Sequence, residues 1–131
     1  MTIRVLTLFV LLSAIPFTVA ETPPPPPRVQ TEIEYLLQYI ATSGCSFYRN
    51  GSWYDGANAR AHLRTKYDYL AGRQLIGTAE DFIDKAATKS SLSGKPYKIR
   101  CGDSIEVESG WWLHKALEQY RASGQSAQHD G

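Results

Sequence analysis

Residues 31–55 read TEIEYLLQYIATSGCSFYRNGSWYD, and this stretch holds two hydrophobic patterns in succession. Its first part begins with a capping box, Thr31-x-x-Glu34, and continues with apolar residues at helical spacing. Its second part places aromatic residues on both sides of Asn50-Gly51, the strongest short signal for a β-hairpin. The stretch therefore predicts a helix followed directly by a hairpin.

Three more helices are predicted downstream from capping residues and apolar periodicity. Asp55 can cap a helix over 56–72, and Thr78 can cap a short third helix. Ser109 opens a fourth helix, which we expect to end at Gly124 because glycine commonly terminates helices.

A second hairpin is predicted over 96–108, where apolar and polar residues alternate across Gly102-Asp103. The expected fold class is therefore α+β, mainly α, with about four helices and a small antiparallel β element in one domain. Four amphipathic helices in a small domain have only one another to pack against. The predicted core is Leu36, Leu37, Ile40, Leu63, Phe82, Ile83, Leu113 and Leu117.

The first twenty residues have the layout of a secretory signal peptide. Arg4 supplies a positive charge, VLTLFVLLSAI at 5–15 is apolar, and small residues precede the predicted cleavage site after Ala20. A membrane anchor is the alternative, but a spanning helix needs about twenty apolar residues. We therefore expect export, most simply to the periplasm, and no membrane span after cleavage.

The remaining divisions follow from composition. We expect a proline-rich leader at 21–28, a single globular domain at 29–123 and a flexible tail at 124–131. The chain has 14 basic and 13 acidic residues, so cleavage that removes Arg4 would leave 13 of each. A net charge near zero argues against a nucleic-acid partner.

The two cysteines, Cys45 and Cys101, are 56 positions apart. In an oxidising compartment an even pair normally forms a disulfide. Redox-active pairs are instead usually spaced Cys-x-x-Cys, so a structural bridge is predicted.

Familiar catalytic signatures are absent from the sequence. It contains no Gly-x-Ser-x-Gly, no phosphate-binding glycine loop and no His-Glu-x-x-His. We therefore predict no cofactor and no metal ion, and the sequence favours binding over catalysis.

Two groups of polar residues are candidate catalytic or binding sites. His62 and Lys66 lie one turn apart on the second helix and could form an acid–base pair, or could simply be a solvated margin. The segment SSLSGKPY at 90–97 could form an anion-binding nest, or could be a helix end terminated by Gly94. The candidate polar site is His62, Lys66, Ser90, Ser91, Ser93 and Lys95.

Aromatic residues suggest a contact surface. Adjacent tryptophans at the start of the fourth helix point about 100° apart, so Trp112 can face the core while Trp111 lies on a charged face. Trp111 then either covers the first hairpin, which we slightly favour, or anchors a partner. The predicted partner-binding residues are Arg49, Asn50, Trp53, Tyr54 and Trp111.

These segments carry a family resemblance over Glu32 to Arg121. The chain resembles the YfeK-like proteins, small exported proteins of Gram-negative bacteria without an established function. The resemblance implies the periplasm and the disulfide, and it transfers no catalytic residue. Its motifs are Ser43-Gly44-Cys45-x-Phe47-x-Arg49-Asn50-Gly51, Ala61-His62-Leu63-x-x-Lys66, Asp81-Phe82-Ile83, Ser90-Ser91-x-Ser93-Gly94-Lys95-Pro96-Tyr97 and Cys101.

Three functions fit these observations. The first is a periplasmic binding or assembly module that contacts another envelope component, such as a secretion machine or a type IV pilus. The second is a small hydrolase that uses His62 with a hydroxyl of Ser90, Ser91 or Ser93. The third is a secreted enzyme inhibitor or effector.

Overall fold

The computed structural model describes residues 2–5, 10–19, 21 and 23–129, the last five of them by their backbone alone. This part of the chain contains four helices and a small antiparallel sheet in one domain, which confirms the predicted α+β class. The elements are α1 (Pro27–Thr42), β1 (Ser46–Arg49), β2 (Ser52–Tyr54), α2 (Gly56–Gly72), α3 (Ala79–Ala86), β3 (Lys98–Arg100), β4 (Val107–Glu108) and α4 (Ser109–His129).

The start of α1 differs from the prediction. The helix begins at Pro27, inside the predicted leader, and the Thr31 hydroxyl donates to the Pro27 carbonyl one turn earlier instead of capping the helix. Proline is well suited to the first turn because its missing N–H would have no intrahelical acceptor there. The capping box at Thr31 is therefore wrong, and the first helix takes in the last two residues of the proline-rich segment.

The caps of α2 and α3 are confirmed. Asp55 accepts a hydrogen bond of 2.8 Å from the Asn58 N–H, and Thr78 accepts one of 3.0 Å from the Asp81 N–H. The predicted end of α4 is wrong, because the helix continues through Gly124 to His129. Glycine inside a helix costs only about 1 kcal/mol relative to alanine, so it need not end one.

Both predicted hairpins exist and join into one four-stranded sheet, in the order β2-β1-β3-β4. Asn50 and Gly51 both have positive φ, as the tight turn between β1 and β2 requires. Residues 101–106 connect β3 to β4, so this loop is longer than the expected turn at Gly102-Asp103. The two hairpins meet where Phe47 of β1 pairs with Ile99 of β3.

The core forms where α1 packs against the other three helices and the inner face of the sheet. All eight predicted core residues are buried, and Phe47 and Ile99 add to them from the strands. The close contact between α1 and α2 depends on Gly56, because a Cβ there would lie 2.5 Å from the Ile40 carbonyl oxygen.

A group of ion pairs around the buried Glu32, which the sequence did not suggest, ties three of the helices together. Glu32 of α1 is buried and accepts a 2.6 Å hydrogen bond from Arg121 of α4. The same guanidinium also bonds Glu80 of α3. The long side chain of Arg121 thus reaches from α4 back to α1.

The predicted disulfide is present. Cys45 and Cys101 are bonded, so the residue before β1 is joined to the residue after β3. Within the described residues, none of the helices combines the length and apolar character needed to cross a membrane.

Candidate functional site

A small cavity of about 40 Å³ lies between the first hairpin, α2 and the residue that precedes β3. Its polar lining includes Arg49 from β1, His62 from α2 and Tyr97. Its apolar lining comes chiefly from Phe47, Tyr54, Ala59 and Leu63. Most of the cavity surface is therefore apolar, and the charged and hydrogen-bonding groups form only a small part of it.

Local structure explains why these side chains converge. Side chains alternate between the two faces of a strand, so Phe47 and Arg49 both point from β1 toward α2. His62 and Lys66 are four residues apart in α2 and so share one face of that helix. Tyr97 precedes β3 and is buried, as is Ile99 two residues later.

Arg49, His62, Lys66 and Tyr97 form a connected group, here called the cationic cluster. The Arg49 Nη1 lies 3.0 Å from His62 Nδ1, its shorter contact with the ring. His62 Nε2 lies 3.2 Å from the Tyr97 hydroxyl, and Lys66 Nζ donates to that hydroxyl over 3.2 Å. Tyr97 is thus the residue that joins the two α2 side chains.

The electrostatics of the cationic cluster are unfavourable to positive charge. Burial lowers the pKa of His62 below its usual 6.5, and the charges of Arg49 and Lys66 lower it further. Burial likewise lowers the pKa of Lys66, with Arg49 contributing. Burial raises the pKa of Tyr97, although Arg49 acts in the opposite direction. His62 is therefore neutral near pH 7, and Tyr97 keeps its proton.

Acid is expected to destabilise the protein through His62. Because its pKa is lower in the folded chain, the unfolded chain binds more protons as the pH falls below about 6.5. This group stabilises the fold above that pH, and its contribution is lost toward the lowered folded pKa. One proton accounts for at most about 1.4 kcal/mol per pH unit. Urea denaturation between pH 7.5 and 5 should show that the free energy of unfolding falls less steeply with pH in His62→Gln than in the wild type. An equal pH dependence in the two proteins would contradict a lowered pKa of His62.

The serine-rich loop folds onto the hairpin turn. The buried Ser90 hydroxyl accepts hydrogen bonds from Asn50 Nδ2 and from the N–H groups of Leu92 and Ser93. The Ser93 hydroxyl donates to Asn50 Oδ1 over 2.7 Å and accepts from the Lys95 N–H. These bonds hold the loop to the β1–β2 turn, so Asn50 and Ser90 have a structural role in this region.

The predicted polar site therefore separates into two groups. His62 and Lys66 belong to the cationic cluster, whereas Ser90 and Ser93 bond to Asn50 and to their own loop. Ser91 is exposed. Because α3 ends at Ala86, well before Gly94, this glycine does not terminate the helix. Among the described residues, His62 contacts Arg49 and Tyr97 and not a serine hydroxyl, so the arrangement a serine hydrolase needs is not assembled.

The predicted partner-binding residues lie in different places. Arg49 and Tyr54 face the cavity, with the guanidinium 5.0 Å from the Tyr54 ring centroid. Trp53 lies on the other face of the sheet, and Asn50 is in the turn. Trp111 is 58% exposed and makes no ring contact with the hairpin among the described residues, so the expectation that it covers the first hairpin is wrong. Trp112 does pack against the core, beside Tyr39 and Phe47, as its position in the helix predicted.

Tyr97 is the residue that sequence reasoning missed. Tyr97 ends the segment SSLSGKPY, in which the hydroxyl groups and the lysine are the candidate binding groups. Its position two residues before Ile99 was the available signal, since both residues then face the core from the same side of an extended segment.

Comparisons with known proteins place no activity on this site. Residues 27–121 match the model of a family of unknown function, DUF5329. The uncharacterized protein YfeK of Salmonella typhimurium is 41% identical over 69 residues, which are 52% of this chain and 56% of that protein. The match thus spans about half the length of each protein. No solved structure matches the chain.

Proposed function

The chain belongs to the DUF5329 family of unknown function, and we propose that it is an exported module that binds another protein of the cell envelope. The apolar run and small residues at 1–20 support export. A secretion machine or a type IV pilus is the kind of envelope assembly that such a module would serve.

One observation carries the proposal: the outer face of the sheet presents aromatic and cationic side chains together. Tyr48 and Trp53 are cross-strand neighbours with ring centroids 5.3 Å apart. The Arg100 guanidinium lies 4.4 Å from the Trp53 ring centroid. Lys98 pairs with Tyr48 across the β1–β3 ladder and is exposed. We call these four residues the outer-face patch.

The composition of the outer-face patch suits protein recognition. Tryptophan, tyrosine and arginine are the residue types that most often anchor protein interfaces. Trp53 is held on a strand and leaves 37% of its surface exposed, so little side-chain order has to be imposed on binding. Lys98 and Arg100 flank the rings, but Arg100 lies 4.0 Å from Glu106 and Lys98 pairs with Glu108 across the β3–β4 ladder, so the patch offers charges of both signs to a partner. Trp111 lies in the first turn of α4, shortly after β4, and is a candidate extension of the same surface.

Loss of partner capture is expected for Trp53→Ala. Tagged wild-type protein and variants would be exported, cross-linked in cells and purified, and the attached envelope proteins identified by mass spectrometry. We expect the proteins captured by the wild type to be lost with Trp53→Ala, while the melting temperature falls by less than about 8 °C. Trp111→Ala, measured in parallel, shows whether the surface reaches α4.

Tyr69→Ala is the matched control for this experiment. Tyr69 is 58% exposed on α2, and the Arg73 guanidinium lies 3.8 Å from its ring centroid. Like Trp53→Ala, the Tyr69→Ala substitution therefore removes an exposed aromatic–arginine pair. Capture should survive in this variant. Equal capture by Trp53→Ala and the wild type, or equal loss in both variants, would contradict a role for the outer-face patch.

A further inference from the structure

The cationic cluster has no counter-anion among the described residues, in contrast to two other partly buried arginines. Arg64 pairs with Glu34 over 2.5 Å, and Arg121 pairs with Glu32 and Glu80. In the described part of the chain, no carboxylate lies within ion-pair distance of Arg49 or Lys66. Two half-buried positive charges thus lie near each other beside a neutral histidine, an arrangement that an added anion would stabilise.

The cationic cluster also contains more hydrogen-bond donors than acceptors. Arginine and lysine only donate, so we assign the unprotonated nitrogen of His62 to Nδ1, which lies closer to Arg49 Nη1 than Nε2 does, at 3.0 against 3.3 Å. Neutral His62 then carries its hydrogen on Nε2, which donates to the Tyr97 oxygen, as Lys66 does. Both lone pairs of that oxygen are therefore occupied. The hydroxyl hydrogen of Tyr97 still needs an acceptor, whereas the described residues around it supply donors.

The cavity next to these donors limits what could accept from them. A water molecule needs roughly 10–15 Å³ of such volume, so a cavity of about 40 Å³ admits only a few heavy atoms. Phe47, Tyr54, Ala59 and Leu63 form its apolar walls. A tetrahedral dianion would lose much hydration against these walls, whereas a planar carboxylate carries one charge and matches the guanidinium fork.

We propose that Arg49, His62, Lys66 and Tyr97 form a binding site for a single carboxylate group carried on a short apolar moiety. Arg49 supplies charge at the cavity wall, and Tyr97 donates its hydroxyl hydrogen to a carboxylate oxygen. Lys66 does not line the cavity and adds its charge from behind the Tyr97 hydroxyl to which it donates. His62 is a positioning residue, because it bonds both Arg49 and Tyr97 and so fixes their separation. The cavity takes the carboxylate and the carbon next to it, and the rest of the attached chain extends out of it past the apolar walls. Free short-chain carboxylic acids and the C-terminal residue of a polypeptide both have this chemistry.

This site lies on the other face of the sheet from Trp53, although Tyr48 of the outer-face patch also borders the cavity. Arg49 and Trp53 lie on opposite faces of the same hairpin, so a ligand in the cavity need not touch Trp53. Binding at the two surfaces can therefore be tested with separate variants.

Titration of the purified, disulfide-bonded protein with butyrate tests the proposal. Binding would be followed by backbone amide chemical shifts in nuclear magnetic resonance, with butyramide as the uncharged probe and inorganic phosphate as the tetrahedral anion. We expect saturable butyrate shifts centred on 47–66 and 97, and affinity at least about tenfold lower in Lys66→Met. Tyr97→Phe removes one oxygen and keeps the ring, so it should also weaken binding while leaving the protein folded.

Lys98→Met is the matched control, because it removes one positive charge from the exposed outer face of the sheet. It should leave butyrate affinity within about twofold of the wild type, as expected for a distant, screened charge. Equal weakening by Lys98→Met and Lys66→Met would overturn the proposal. So would butyramide binding as tightly as butyrate, phosphate binding more tightly, or no saturable binding.

A second arm distinguishes the two sources of the carboxylate. An N-acetylated tetrapeptide that ends in valine is compared with its C-terminal amide. Tighter binding of the free-acid peptide than of butyrate, lost in the amide and in Lys66→Met, supports a polypeptide C-terminus as the ligand. Binding of butyrate alone supports a free organic acid.

Discussion

Replacing both Cys45 and Cys101 with alanine is expected to lower the free energy of unfolding by about 2–5 kcal/mol. The bridge closes a loop between residues 56 positions apart, and its loss gives the unfolded chain many more conformations. It also ties β1 to β3, which pair over only three residues. For a domain of about 100 residues, the corresponding fall in melting temperature is roughly 10–30 °C.

Thermal and urea unfolding followed by circular dichroism would measure this loss. Wild-type protein treated with a thiol reductant is the matched control, because it loses the bridge without changing the side-chain volume of Cys45, which is buried. The reduced wild type and the double variant should be similarly destabilised. A loss below about 1 kcal/mol in both would show that packing alone holds the hairpins together.

Features that depend on neighbouring residues could be predicted from the sequence. The caps at Asp55 and Thr78 and the turn at Asn50-Gly51 were all found, because each requires residue types at fixed short spacing. The capping box at Thr31 failed for a related reason. The same residues also fit inside a helix that Pro27 had already started.

Features that depend on distant pairing could not be predicted from the sequence. His62 and Lys66 were recognised as neighbours on α2, but their common contact, Tyr97, lies more than thirty residues away. It is brought there by the pairing of β1 with β3, which neither hairpin signal specifies. The same pairing set Trp53 and Arg100 side by side. Of the five residues predicted to form one partner surface, three are therefore divided between the two faces of the sheet, and Asn50 and Trp111 lie in the turn and on α4.

Phe82→Ala is expected to lower the free energy of unfolding by about 3–5 kcal/mol, among the largest losses for a single substitution in this core. Phe82 is fully buried, and its ring meets Tyr67 of α2 edge-on with centroids 5.8 Å apart. Its helix, α3, spans only eight residues, so α3 depends on packing more than on its own helical propensity. Without the ring, a cavity opens where α3 meets α2.

The effect of Phe82→Ala should extend from the core toward the cationic cluster. The chain leaving α3 provides the Thr88 carbonyl that accepts from the Tyr97 N–H over 3.0 Å, and the Lys89 carbonyl that accepts from Lys66 Nζ over 3.1 Å. Loosening α3 should therefore shift the amide resonances of both Tyr97 and Lys66 even under native conditions. Leu75→Ala removes a 44% exposed side chain ahead of the same helix and should cost less than about 1 kcal/mol without those shifts. Equal destabilisation by the two substitutions would mean that Phe82 does not hold α3 in place, and that the geometry around Tyr97 is maintained by the sheet alone.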